Sequence, residues 1–289
     1  MQHGKIMQSQ VRNLTIGLLA SAAAAAFAPT PALAGPAIPV TVSEGTALAF
    51  SLSPDGRQIV FDLQGVLFVM PAAGGPAKAI TDNLFDARQP TFSADGKSIA
   101  FQSNRNGFYR IWVIGADGSN PRPLTKGDAE EREPTWSPKG DKVAFTSERS
   151  GKFDIWEYDL KSGQLTQRTK GPGGNSRPSY APNGVDIAYV SDRRGATGIY
   201  AVDGAGAERQ LAKANVFSFG MNVPLGTPTW APNGQDVLYT VIAGGKARLM
   251  LNDKPVVETE DVQPFRAAWL GADAFLYSTD GKIKRRSLA

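Results

Sequence analysis

One turn tetrapeptide recurs along the chain, as Ser53-Pro54-Asp55-Gly56, Ser93-Ala94-Asp95-Gly96, Ser137-Pro138-Lys139-Gly140, Ala181-Pro182-Asn183-Gly184 and Ala231-Pro232-Asn233-Gly234. A degraded sixth copy stands at Leu270-Gly271-Ala272-Asp273, and the successive intervals are 40, 44, 44, 50 and 39 residues. Self-similarity near 40 residues restricts the chain to a propeller or a solenoid. Proline presets φ for the second turn position, Asp or Asn tolerates the third, and glycine supplies the left-handed residue. Each tetrapeptide therefore reads as a tight turn between antiparallel strands, and six repeats of it make its acids structural rather than catalytic.

One large apolar residue precedes each turn: Leu52, Phe92, Trp136, Tyr180, Trp230 and Trp269. At a single phase of every repeat, these residues are expected to pack neighbouring sheets together. Strands rich in β-branched and aromatic residues are predicted after the turns, over 58–63, 98–103, 142–147, 186–191, 236–241 and 274–279. Three copies continue with the same hairpin signature, at Ser103-Asn104-Arg105-Asn106-Gly107, Ser147-Glu148-Arg149-Ser150-Gly151 and Ser191-Asp192-Arg193-Arg194-Gly195. Repetition makes these arginines hairpin ties rather than ligand clamps. Third strands are predicted over 109–114, 153–158 and 198–202, and fourth strands over 77–81 and 121–125. No stretch of helical period longer than two turns competes. The prediction is all-β: a six-bladed β-propeller of four-stranded antiparallel blades, near 45–81, 85–125, 131–170, 175–213, 226–261 and 264–289. The last blade runs out at Ser287-Leu288-Ala289 before an outer strand, and the strand-like residues 37–42 are expected to supply it and close the ring.

Residues 1–34 read as a secretory signal: Lys5 and Arg12 without acids, an apolar stretch from Leu14 to Phe27, then Ala32-Leu33-Ala34. Cleavage after Ala34 leaves residues 35–289 as one exported, periplasmic domain, since the stretch is short for a membrane span and no cysteine follows to take lipid. The sole histidine, His3, lies in the signal, and the chain has no cysteine. Serine triads using histidine, thiol catalysis and His- or Cys-based metal sites are thereby excluded. The formal charge of +4 comes from the two ends. Without Lys5, Arg12, Lys282, Lys284, Arg285 and Arg286, the body holds 25 bases against 27 acids, with no basic stripe for nucleic acid.

The succession S-P-D-G, an I-A-F-x-S strand, S-x-R-x-G and then I-W-V resembles the TolB-type, WD-repeat-like propeller repeat of exported bacterial proteins, over residues 45–289. TolB itself carries an α/β domain before its propeller; here Gly35 to Ser43 precede the first blade. The opening from Ser43 to Leu52 and the closing from Gly281 to Ala289 also look like the N-terminal propeller of large exported amidohydrolases. That resemblance implies a propeller without its catalytic domain, because the hydrolase barrel needs histidine ligands.

In a propeller the innermost strands line an axial channel, and the segments entering them form one mouth. The equivalent entry positions are Ala49, Gln89, Glu133, Arg177, Thr227 and Arg266, unlike one another where the turns are alike. With Arg88 beside them, Gln89, Glu133, Arg177, Thr227 and Arg266 are the candidate binding residues. An all-oxygen cation site from Asp128, Glu130, Glu131 and Glu133 lacks the spacing of a known loop, so neither metal nor cofactor is expected. The longest interval holds an insertion with Phe217, Phe219 and Met221 at period two, a candidate patch for docking a partner. The reading is a non-catalytic monomeric binding or scaffold propeller, with an envelope protein, peptide or catalytic domain as partner. The alternative is a detached propeller of a metal-dependent amidohydrolase.

Overall fold

The computed structural model describes residues 47–193, 197–213 and 225–288. Each tetrapeptide closes a hairpin as its composition demands. The glycine N–H donates to the carbonyl of the first turn residue at 2.9 Å in all five full copies. Gly56, Gly96, Gly140, Gly184 and Gly234 take φ of 70°, 70°, 71°, 70° and 68°, where an L side chain is strained. The hairpins assemble into sheets whose strand order follows the sequence.

Blade one comprises β1 (Phe50–Leu52), β2 (Gln58–Leu63), β3 (Val66–Pro71) and β4 (Lys78–Ala79). A short 3₁₀ turn, Asn83–Phe85, leads to blade two, β5 (Arg88–Phe92), β6 (Ser98–Ser103), β7 (Arg110–Gly115) and β8 (Arg122–Pro123). Blade three is β9 (Glu131–Trp136), β10 (Lys142–Ser147), β11 (Asp154–Asp159) and β12 (Leu165–Gln167). Blade four is β13 (Asn175–Tyr180), β14 (Ile187–Ser191), β15 (Gly198–Val202) and β16 (Glu208–Lys213). Blade five is β17 (Thr229–Trp230), β18 (Val237–Ala243), β19 (Lys246–Leu251) and β20 (Lys254–Val257). Blade six, among the described residues, has three strands, β21 (Ala268–Trp269), β22 (Ala274–Thr279) and β23 (Lys282–Ser287). The signal, the expected closing strand at 37–42 and the insertion carrying Phe217, Phe219 and Met221 lie outside the described residues.

The architecture is all-β, a six-bladed propeller of antiparallel blades, with second strands within two residues of the predicted positions. Outer strands β4 and β8 are shorter than predicted, two residues each. They are edge strands with one pairing partner, and their side chains are exposed, so packing does not extend them.

The core is divided among the interfaces between blades. Val60 and Leu67 meet Phe92 and Phe101; Ala100 and Val113 meet Val143 and Phe145; Ala144 and Ile155 meet Ile187 and Tyr189. Ala188 and Val190 meet Trp230 and Tyr239, and Leu238 and Leu249 meet Phe275 and Tyr277. Phe50 and Ile59 meet Leu276, which joins the last blade to the first. The large residues before the turns sit in these seams, and three are tied as well as packed, Tyr180 through its hydroxyl to Glu157 of the preceding blade at 2.7 Å. The indole N–H groups of Trp136 and Trp230 donate to Thr91 and Ser179 carbonyls of the preceding blade, at 3.1 and 3.2 Å. No helix among the described residues is long and apolar enough to cross a membrane.

Candidate binding cleft at the channel mouth

Three consecutive inner strands carry the same irregularity. β5, β9 and β13 each hold one residue more than the facing stretch of β6, β10 and β14, which is a β-bulge. The bulged residues are Gln89, Glu133 and Arg177, with φ of 51°, 59° and 58°. Proline follows each of them and has no N–H to lose from the ladder. Left-handed backbone at three non-glycine residues costs roughly 1–2 kcal/mol each, so the surrounding structure must hold it.

It is held by side chains of the preceding blade. Asp62 Oδ2 accepts the Gln89 N–H at 2.6 Å, Gln102 Oε1 the Glu133 N–H at 2.9 Å, and Thr146 Oγ1 the Arg177 N–H at 3.1 Å. The Arg177 N–H also reaches Glu133 Oε2 at 2.7 Å, to which Thr146 Oγ1 donates at 2.8 Å. Asp62, Gln102 and Thr146 are the fifth residues of β2, β6 and β10, the variable x of the I-A-F-x-S strand. Their variation was the signal that sequence reasoning left unused.

The bulges open into a cleft of about 510 Å³ over blades two to four. Its wall includes Gln89, Gln102, Glu133, Thr146 and Arg177, with Arg132, Glu148, Lys152, Phe153 and Asp192 around the mouth. Of the sequence candidates, Gln89, Glu133 and Arg177 thus share one cleft. Gln89 and Glu133 also line a much narrower axial space together with Thr227 and Arg266. Arg88 stands apart on the rim, half exposed and paired with Asp86 at 2.9 Å. Lys152, Glu148, Asp192 and Phe153 come from hairpin loops and loop ends whose convergence only the ring produces.

Arg266 crosses the axis. From blade six its Nη1 donates to Thr135 Oγ1 at 2.8 Å in blade three, and its Nη2 to the Pro178 carbonyl at 2.7 Å in blade four. The residue keeps partial exposure, but its guanidinium is packed in by protein, and burial pushes its pKa down to about 10. Asp62, also accepting the Ala49 N–H at 3.1 Å, is 8% exposed. Burial outweighs its two hydrogen bonds and pushes it up to about 6.

The other charged candidates are held elsewhere. Asp128 is exposed and faces Arg110 at 3.5 Å, Glu130 pairs with Arg132 at 3.2 Å, and Glu131 is buried against Thr125 and Arg149. Among the described residues no three His, Cys, Asp or Glu side chains are grouped to hold a metal ion. The hairpin arginines act as ties: Arg149 and Arg193 bond Ser147 and Ser191 Oγ at 3.1 and 3.2 Å. Arg105 and Arg193 each lie 4.2 Å from an aromatic centroid, those of Phe85 and Tyr200.

The family model for the TolB beta propeller domain matches residues 33–206, more than half of the chain. The chain belongs to the TolB-type propeller family. It is 25% identical to TolB from Acinetobacter baumannii, with a TM-score of 0.59, over 71% of this chain and 51% of that one. This TolB-type chain therefore spans about half the length of that relative. A putative TolB from Agrobacterium tumefaciens is 22% identical, with a TM-score of 0.64, over 82% of this chain and 88% of that chain. An oligogalacturonate lyase in complex with manganese shares the fold, at 17% identity and a TM-score of 0.54, over 74% and 67% of the two chains. No curated protein matches the sequence.

Proposed function

We propose that this TolB-type propeller is a non-catalytic, exported binding module of the periplasm, and that its mouth holds an extended peptide or protein segment. One observation carries the reading. The positions that differ from repeat to repeat, Gln89, Glu133 and Arg177 on the inner strands and Gln102 and Thr146 on the second strands, meet in one cleft. Positions shared by all repeats lie in turns and seams. The cleft mixes both signs of charge with Phe153 and exposes hydrogen-bonding side chains, which suits a polar main chain with varied side chains. Chemistry is poorly served there, because neither imidazole nor thiol stands beyond residue 34.

The test uses residues 35–289 and an array of overlapping twelve-residue peptides from periplasmic proteins. Retention of a defined peptide set, abolished by Ser176→Trp with the melting temperature unchanged, is the expected outcome. Ser176 lines the cleft from β13, so an indole there fills it. Retention unaffected by Ser176→Trp, or no retention of any peptide, would overturn the reading.

A further inference from the structure

The acceptors and donors in the cleft are unequally used. Glu133 Oε2 takes the Thr146 hydroxyl and the Arg177 N–H, while Oε1 faces Arg177 Nε at 3.5 Å. Both oxygens of Asp62 and the side-chain oxygen of Gln102 take main-chain N–H groups. Donors remain. Arg177 Nη1 is buried without a hydrogen-bond partner, which costs about 1–3 kcal/mol, more for a charged group. In the narrower axial space, Arg266 meets a hydroxyl and a carbonyl, both neutral, and makes no ion pair among the described residues. Among the described residues Glu133 is the one carboxylate paired to either guanidinium.

Other features carry less. Asp154 is fully buried, but five side-chain donors saturate it: Lys152, Thr169, Asn175, Ser150 and Gln167. The exposed Leu84 and Phe108 have nothing to show what would cover them.

We propose that the cleft selects a peptide bearing a carboxylate, which enters at the mouth and is held by the part-exposed Arg177 guanidinium. The inference rests on the peptide-binding reading and names the group that reading leaves open. An acidic side chain and a free C-terminus offer the same two oxygens, and both fit a guanidinium bidentately. At the mouth Arg132 and Lys152 are already paired with Glu130 and Asp154, while Glu148 and Asp192 turn away a chain acidic throughout. The selected ligand therefore has one carboxylate at its leading end rather than an acidic run.

The test compares three pools of fluorescein-labelled hexapeptides, randomised at the remaining positions. One has a fixed Asp and an amidated C-terminus, one a fixed Asn and a free C-terminus, and one a fixed Asn and an amidated C-terminus. Either carboxylate pool should bind at least about tenfold tighter than the neutral pool, as expected for a hydrogen bond to a charged group. The preferred pool identifies the source. Arg177→Gln should abolish the preference and Arg177→Lys should keep part of it. Equal binding of all three pools, or a preference that survives Arg177→Gln, would overturn the inference and leave the peptide-binding reading standing. Binding of no pool would overturn both.

Discussion

A single substitution within the turn shows how local chemistry is conserved while residues change. Ser53 and Ser93 donate to Asp55 and Asp95 at 2.6 Å and accept the N–H of Gln58 and Ser98 at 2.9 and 3.0 Å. Where alanine replaces the serine, asparagine takes over: Asn183 accepts the N–H of Val185 and Asp186, and Asn233 those of Gln235 and Asp236. In the third copy Lys139 offers no acceptor, and Ser137 turns to Asp141 at 2.6 Å instead. The turn pattern was legible because each variant satisfies the same backbone. Asp62 was not, since a lone acid in a strand reads as solvated until the next blade covers it. Its folded pKa near 6 lies above the unfolded value, so the native state keeps a proton that the unfolded chain has released between about pH 4 and 6. The contribution of Asp62 to stability is thus fully present below pH 4 and lost as pH rises through 6. Urea unfolding of the native protein and of Asp62→Asn should show their stability difference shifting by about 2–3 kcal/mol in favour of the variant from pH 4 to pH 7. A difference independent of pH would mean that Asp62 titrates normally.

At the scale of the strand, the bulges are the feature that sequence pattern hides. Gln89-Pro90, Glu133-Pro134 and Arg177-Pro178 look like strand entries, and the extra residue that re-aims each side chain is visible only in the pairing register. Among the described residues blade six has its outer edge on β23, and it packs against blade one through Leu276. Residues 37–42 are accordingly proposed as its fourth strand. Deleting residues 35–43 should lower the melting temperature by roughly 5 °C, through lost ladder bonds and packing. An unchanged melt would remove the closing strand from the account.

For the molecule as a whole, what a propeller does depends on which groups its ring brings to the axis. Here they are carboxylates already bonded and an arginine, Arg177, with a donor to spare, without imidazole or thiol among the described residues. Purified residues 35–289 are therefore expected to hydrolyse no amide, ester or peptide substrate, with or without added Zn²⁺. Turnover that follows the protein through gel filtration would refute this, and it would revive the amidohydrolase-related alternative only if it required a partner domain.

Six turns at regular intervals, an apolar residue before each and a β-rich strand after each made the blades and their number readable, because every one of those signals is local and repeated. The ring made the site. Arg266 lies 131 residues from Thr135 in sequence and within 2.8 Å of it across the axis, and no local pattern encodes that approach. Arg88 and Gln89 are neighbours in the chain, yet one lies on the rim and the other in the cleft, because a bulge and a carboxylate of the preceding blade turn the backbone between them. Sequence alone therefore determined the fold and the candidate positions. Only closure of the ring decided which of them share a cavity, since closure sets which blades face one another.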